Sequence, residues 1–357
     1  MANEELMRNA KYLVAPGKGI LPVDEPTGIL GSFFKESKAV ADTQENRRRH
    51  LEMLFTSGSL AKYISGVIFL EQTFLEKTKH GSPFLELLDR HGILPGIKLD
   101  LGIIDLEGSQ GEMTTKGLDD LPERCRMYKH KGAKFAKWRC VFKIGEHTPS
   151  QLAIKINIAL LARYAVICQQ NGLVPIVEPE VLCDGDHNLE RAQSASIKVL
   201  SAQVKALLDH GVLLEGMLLK CSMIRPGHTC PTVCTPEQVA KATFEVLSRT
   251  IPPAIPGITF LSGGLSEIDA TTYLNAINKH TGVKPWPLTF TFGRAVQATV
   301  MKIWGGKDEN VAAAQREFIK RVKANSKASL GKYSEEDEGN VEDNDAHMPL
   351  YKEGYSY

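Results

Sequence analysis

The amino-acid sequence predicts an α/β fold, a (β/α)8 TIM barrel, and three observations carry that expectation. Eight short apolar or β-branched segments recur along the chain, their starts roughly 30–45 residues apart. Helix-period patterns fill the gaps, and strand followed by helix eight times is the pattern of a closed barrel. The length, 357 residues, is long for an ordinary domain and normal for a barrel. An open doubly wound sheet would carry a Gly-rich phosphate loop after its first strand. Here Gly17-Lys18-Gly19 precedes that strand and reads as an entry turn.

The elements follow in order. The first strand is expected over 18–24 (KGILPVD) and its helix over 45–56. The second, 64–71 (ISGVIFLE), leads to a helix at 83–90, and the third, 96–101 (GIKLDL), to one at 120–130. The fourth, 135–142 (FAKWRCVF), precedes a helix at 150–170, and the fifth, 173–182 (LVPIVEPEVL), one at 188–210. The sixth, 213–221 (LLEGMLLKC), is followed by a helix at 236–249, where Thr235 before Pro236-Glu237 can accept orphan amides and Pro suits the first turn. The seventh, 257–264 (GITFLSGG), leads to 267–279, and the eighth, 287–293 (PLTFTFG), to 294–304, with a last helix at 308–325. Trp138 and Trp304 read as core. A single catalytic domain is expected over residues 1–333. Residues 334–346 (SEEDEGNVEDNDA) have no apolar periodicity, so 334–357 reads as an acidic, mobile tail carrying Tyr351, Tyr355 and the terminal Tyr357.

Composition excludes several classes. With 43% hydrophobic residues the chain can bury a core, which excludes wholesale disorder. Lys and Arg number 43 against 42 Asp and Glu, giving no bulk pull toward nucleic acid or membrane. The tail nevertheless holds eight acids and one lysine, leaving a basic body suited to an anionic small molecule. Seven cysteines, odd in number and mostly in apolar runs, argue for reduced thiols and a cytoplasmic location. The N-terminus shows no signal or transit pattern, and no apolar run is read as long enough for a membrane span. The ten histidines lack zinc-site spacing, His228-x-Cys230-x-x-x-Cys234 included, so no metal and no cofactor is expected.

Barrel chemistry belongs at the C-terminal strand ends. There the sequence sets Asp24-Glu25 on the first strand, Lys98 and Asp100 on the third, Lys137 and Arg139 on the fourth, Glu178 and Glu180 on the fifth, and Lys220 on the sixth. A spacing of two puts each pair on one face, and apolar neighbours make that face the barrel interior. One such pair would read as an interior salt bridge. Charges from five strands at one depth cost too much desolvation to serve packing alone. A lysine amine attacks carbonyl carbon only when neutral, a state that burial and a neighbouring cation both favour. Lys220 in its apolar strand, Lys137 nearby, and Glu178 as proton shuttle therefore make a kit for imine chemistry, with Asp24 to exchange a proton on the carbon skeleton. Ser262-Gly263-Gly264 after the seventh strand, and Gly293-Arg294 opening the helix after the eighth, form the usual barrel phosphate site.

At these residues the sequence closely resembles the class I fructose-1,6-bisphosphate aldolase family. The likeness runs from about residue 10 to 333 through APGKGIL, FAKWRCVFKIGEHTPS, VPIVEPE, LEGMLLK, TFLSGG, FGRA and WGGK. The resemblance implies a metal-free cytoplasmic barrel, a homotetramer, that reversibly cleaves fructose 1,6-bisphosphate to dihydroxyacetone phosphate and glyceraldehyde 3-phosphate. By motif, Lys220 would be the Schiff-base lysine, Glu178 its acid/base, Lys137 the group tuning that chemistry, and Asp24 the base on the C4 hydroxyl. Lys98 and Arg139 would be substrate-binding cations, and Glu180 and Gly263 belong to the same substrate-lining set. Ser262, Gly293 and Arg294 would hold the C1 phosphate, and Tyr357 would assist C3 proton exchange.

The sequence departs from the family pattern after the first strand. Pro26 and Ile29 stand where hydroxyls are usual, and Ser32-Phe33 where a basic pair is usual. Leu101 replaces a usual Lys, and Cys221-Ser222 a usual Pro-Asn. These changes put the 6-phosphate grip in question. The alternative reading is therefore a paralogue that keeps the imine and the C1-phosphate site but prefers another acceptor aldehyde. A non-catalytic scaffolding paralogue is the remaining rival.

Overall fold

The computed structural model describes residues 2–25, 40–338 and 344–351. Eight parallel strands form one sheet in chain order: Gly19–Val23, Ile64–Phe69, Leu94–Lys98, Phe135–Phe142, Val174–Val181, Leu218–Ser222, Ile258–Leu261 and Leu288–Phe290. Each pairs with its sequence neighbour, as right-handed strand–helix–strand units require. At the seam, Thr289 Oγ1 donates to the Lys18 carbonyl at 2.6 Å, tying the eighth strand to the entry of the first. Gly19 permits that approach, since a Cβ there would lie 2.4 Å from the Phe290 ring. The sheet is a nearly closed (β/α)8 barrel.

The helices occupy the gaps the periodicity marked. Gln44–Phe55, Phe84–Arg90, Leu121–His130, Gln151–Gln170, Leu189–Asp209, Pro236–Thr250, Glu267–Lys279 and Arg294–Trp304 follow the strands in turn, and Val311–Ala328 packs outside them. The start at Thr235 is a capping box. Its hydroxyl accepts from Gln238 N at 3.3 Å, and Gln238 Oε1 accepts from Thr235 N at 2.8 Å. Trp138 and Trp304 are fully buried, and Trp138 Nε1 donates to Thr115 Oγ1 at 2.9 Å.

Several sequence expectations need correction. The third strand ends at Lys98 and the seventh at Leu261, so Asp100 and Ser262-Gly263-Gly264 lie in loops beyond the strands. Residues Leu214–Gly216 make a 3-10 turn before the sixth strand. A hairpin, Ile103–Asp105 with Met113–Thr115, stands between the third strand and its helix, too short and polar to read as strands. The helix Gln151–Gln170 is long and apolar enough to cross a membrane, against the expectation that no such run exists, and half of its apolar window is buried in the protein. In the acidic tail, Glu335–Glu338 forms a 3-10 turn with Glu338 buried against Arg321, itself wholly buried. Tyr333 Oη donates to the other Glu338 oxygen at 2.8 Å.

The unpredicted N-terminal helix, Ala2–Leu13, explains how the barrel is closed below. Its Leu6, Ala10 and Leu13 pack with Ile20, Ile68, Phe135, Val174, Ile176 and Leu218 from the strands. On three strands the interior stripe runs on at period two from apolar to charged. Phe135 leads to Lys137 and Arg139, Ile176 to Glu178 and Glu180, and Leu218 to Lys220. The interior is therefore apolar at the N-terminal end and ionic at the other.

Candidate active site

The ionic end opens into a cleft of about 820 Å³ at the C-terminal rim. Its centre is a chain of alternating charges. Glu178 Oε1 lies 2.8 Å from Lys220 Nζ, Glu178 Oε2 lies 3.2 Å from Lys137 Nζ, and Lys137 Nζ lies 2.7 Å from Asp24 Oδ2. All four side chains are at most 7% exposed. Burial alone would raise the Glu178 pKa, but Lys137, Lys220 and Arg139 together outweigh it and hold the carboxyl down at about 2. Glu178 is an anion at neutral pH, within hydrogen-bond distance of the Lys220 amine.

Two further pairs form one wall. Arg139 Nε meets Glu180 Oε2 at 2.5 Å, and Lys98 Nζ meets Asp100 Oδ1 at 2.5 Å. Asp100 also accepts from the Arg139 amide at 3.3 Å, so the loop after the third strand is tied to the fourth. Strand register sets Lys98 beside Lys137 and Arg139 beside Glu178.

The opposite wall is made of small residues. Ser262, Gly263, Gly264, Gly293 and Arg294 all line the cleft, with Gly293 capping the helix Arg294–Trp304. Gly263 and Gly264 have φ of +55° and +80°, a left-handed backbone that glycine takes without strain. The arrangement presents a helix N-terminus, an adjacent guanidinium and a bare glycine loop, a combination suited to an anion.

The structure thus brings Asp24, Lys98, Lys137, Arg139, Glu178, Glu180, Lys220, Ser262, Gly263, Gly293 and Arg294 to one cleft. Tyr357, Pro26, Ile29, Ser32 and Phe33 lie outside the described residues. Leu101 is 49% exposed on the loop after the third strand. Sequence reasoning set Glu25 among the strand-end charges without giving it a role, missed Cys183 and Asp184 as lining residues, and gave Tyr351 no place in the site. Tyr351 stacks on His228 with centroids 3.8 Å apart and donates to Asp184 Oδ1 at 3.0 Å. The Leu350 amide donates to Gly264 O at 3.0 Å, and the Leu350 carbonyl accepts from Arg294 Nη1. The aromatic recovery after the acidic run was the available signal. Among the described residues no group of three or more His, Cys, Asp or Glu is placed to hold a metal ion.

A family model described as fructose-bisphosphate aldolase class-I matches residues 5–357. The chain belongs to the class I fructose-bisphosphate aldolase family. A fructose-bisphosphate aldolase of Echinococcus multilocularis is 55% identical over 334 residues, covering 93% of this chain and 92% of that protein. Fructose-bisphosphate aldolase 5, cytosolic, of Arabidopsis thaliana is 53% identical over 354 residues, covering 99% and 98%. Among solved structures, the Plasmodium falciparum fructose-bisphosphate aldolase, in complex with TRAP and a small-molecule inhibitor, superposes with a TM-score of 0.92 at 47% identity, covering 93% of this chain and 96% of that one. The family likeness therefore spans the barrel and both walls of the cleft.

Proposed function

We propose that this class I aldolase cleaves fructose 1,6-bisphosphate, reversibly, to dihydroxyacetone phosphate and glyceraldehyde 3-phosphate through an imine on Lys220. The observation that carries the reading is Glu178 held between Lys220 and Lys137 at 2.8 and 3.2 Å, in a cleft whose facing wall is built for an anion.

The geometry supports a role for each group. Lys220 Nζ adds to the C2 carbonyl of the open-chain ketose. Before the addition Glu178 takes the ammonium proton of Lys220; after it a second proton passes from nitrogen to the C2 oxygen, and Glu178 returns the first to the resulting hydroxyl, which leaves as water and gives the iminium. Asp24 removes the C4 hydroxyl proton. The C3–C4 bond then breaks, the aldehyde departs, and the electron pair is held as the enamine. Protonation at C3, which the family resemblance gives to Tyr357, followed by water addition at C2 with Glu178 as base, releases dihydroxyacetone phosphate and restores the amine. Lys137, between Asp24 and Glu178, is ion-paired to both carboxylates and holds them in place beside the amine. Ser262, Gly293 and Arg294 seat the C1 phosphate, while Lys98 and Arg139 orient the remainder of the substrate.

Borohydride trapping tests the reading. With dihydroxyacetone phosphate present, reduction should fix one adduct per chain, located by mass at Lys220 and absent from Lys220→Ala. No adduct at saturating ligand would move the scaffolding reading to the front. The family also supports a cytosolic homotetramer, in keeping with a relative named as cytosolic. Sedimentation equilibrium of the full chain should give a four-chain mass, and a one-chain mass would refute the tetramer.

A further inference from the structure

The loop after the sixth strand carries a buried charge that the chemistry above does not use. Arg225, three residues beyond Ser222, is only 7% exposed. It lies behind the glycine loop, outside the lining of the cleft. Its Nη2 donates to the Gly263 carbonyl and lies 3.5 Å from where a Cβ on Gly263 would stand. The same nitrogen meets His228 Nε2 at 2.8 Å, and His228 Nε2 is 3.0 Å from the same carbonyl. Burial first, and Arg225 second, push the His228 pKa down to about 4, so the imidazole is neutral and does not repel the guanidinium.

Both acceptors of Arg225 are therefore neutral. The nearby carboxylate, Asp184, accepts from the Tyr351 hydroxyl. A trans peptide points its carbonyl and amide to opposite sides. Clamping the Gly263 carbonyl toward Arg225 thus turns the Gly264 N–H to the side away from Arg225, and both glycines line the cleft. Two successive glycines at positive φ have no side chains to fix that orientation, so an external clamp decides it.

We propose that Arg225 is a positioning residue of the anion seat: it aims the Gly264 amide at the bound phosphate and places a second positive charge behind the seat that Arg294 closes in front, setting the selectivity for phosphorylated ketoses. This rests on the reading of Ser262, Gly293 and Arg294 as a phosphate site.

The test is calorimetric titration of inorganic phosphate into the full chain, alongside steady-state cleavage of fructose 1,6-bisphosphate, for the wild type, Arg225→Gln and Arg225→Lys. Arg225→Gln should weaken phosphate binding about ten-fold, with KM rising in proportion and kcat changing less. Arg225→Lys, keeping charge without the planar fork, should recover part of the loss. Should Arg225→Gln destabilise the chain, Arg225→Lys, compared at a temperature where thermal unfolding shows it folded, decides the matter through the same phosphate titration. Phosphate affinity unchanged in whichever variant is folded, or a loss confined to kcat, overturns the proposal. Phosphate that fails to bind the wild type also overturns it, while failure of Lys220 to trap substrate with phosphate binding intact refutes the aldolase reading and leaves Arg225 standing.

Discussion

Glu178 Oε1 lies 2.8 Å from Lys220 Nζ, on the neighbouring strand, with both side chains nearly sealed from solvent. On the proposed mechanism the pair joins a proton carrier to a nucleophile at hydrogen-bond distance, in a medium where charge interactions are poorly screened.

Replacing Glu178 by Gln keeps the shape but removes the proton carrier and sets an NH2 donor against one of the two lysines. The expected outcome is a fall in kcat of about 10²–10⁴-fold, the range of general acid–base catalysis, with phosphate binding preserved. Single-turnover trapping of the imine checks it, because slower adduct formation at unchanged phosphate affinity assigns the loss to proton transfer.

Glu178 also makes stability depend on acid. Its folded pKa, about 2, lies below the ordinary 4.5, so the stabilisation is complete above pH 4.5 and is lost as pH falls from there toward 2. Urea unfolding across that window should show the wild type losing stability more steeply than Glu178→Gln. Equal slopes would mean that other carboxylates carry the acid sensitivity.

Tyr351 and Leu350 occupy the anion wall. A ligand phosphate that takes Arg294 Nη1 displaces the Leu350 carbonyl, in a segment held by the Tyr351–His228 stack and the bond to Asp184. Tyr351→Ala removes a stack worth about 0.5–1.5 kcal/mol and should tighten inorganic phosphate binding several-fold. Faster amide exchange at Leu350 would accompany it, and weaker phosphate binding would contradict it.

Glu338 neutralises Arg321, which is wholly buried, with the partly exposed Glu317 as its second partner. Glu338→Ala leaves that guanidinium with less than full compensation, at a cost of about 3–5 kcal/mol by the behaviour of broken buried pairs. Chemical denaturation measures it. A cost under about 1 kcal/mol would show that Glu317 and water suffice.

Most of the barrel is legible in the sequence because a strand buried on both faces is apolar along most of its length, and Phe135–Phe142 and Val174–Val181 are, apart from one pair of charges each. Against such a background, Lys137, Arg139, Glu178 and Glu180 stand out, and period two assigns them one face before any coordinates exist. The hairpin at Ile103–Asp105 was not legible, since three-residue strands leave no period to detect. Nor was the N-terminal helix, whose apolar stripe of Leu6, Ala10 and Leu13 has meaning only against the barrel floor.

The sequence by itself determined the strand–helix alternation, the residues that can carry imine chemistry and the strand ends from which they come, because local periodicity and side-chain chemistry are written along the chain. Tertiary structure alone decided which charges pair, that Glu178 rather than Glu180 bridges the two lysines, and that Arg225, His228 and Tyr351 meet behind and beside the glycine loop. Apart from Arg225 with His228, those are contacts between residues tens to more than a hundred positions apart, fixed by barrel closure and strand register, and no local pattern encodes a distance across the barrel.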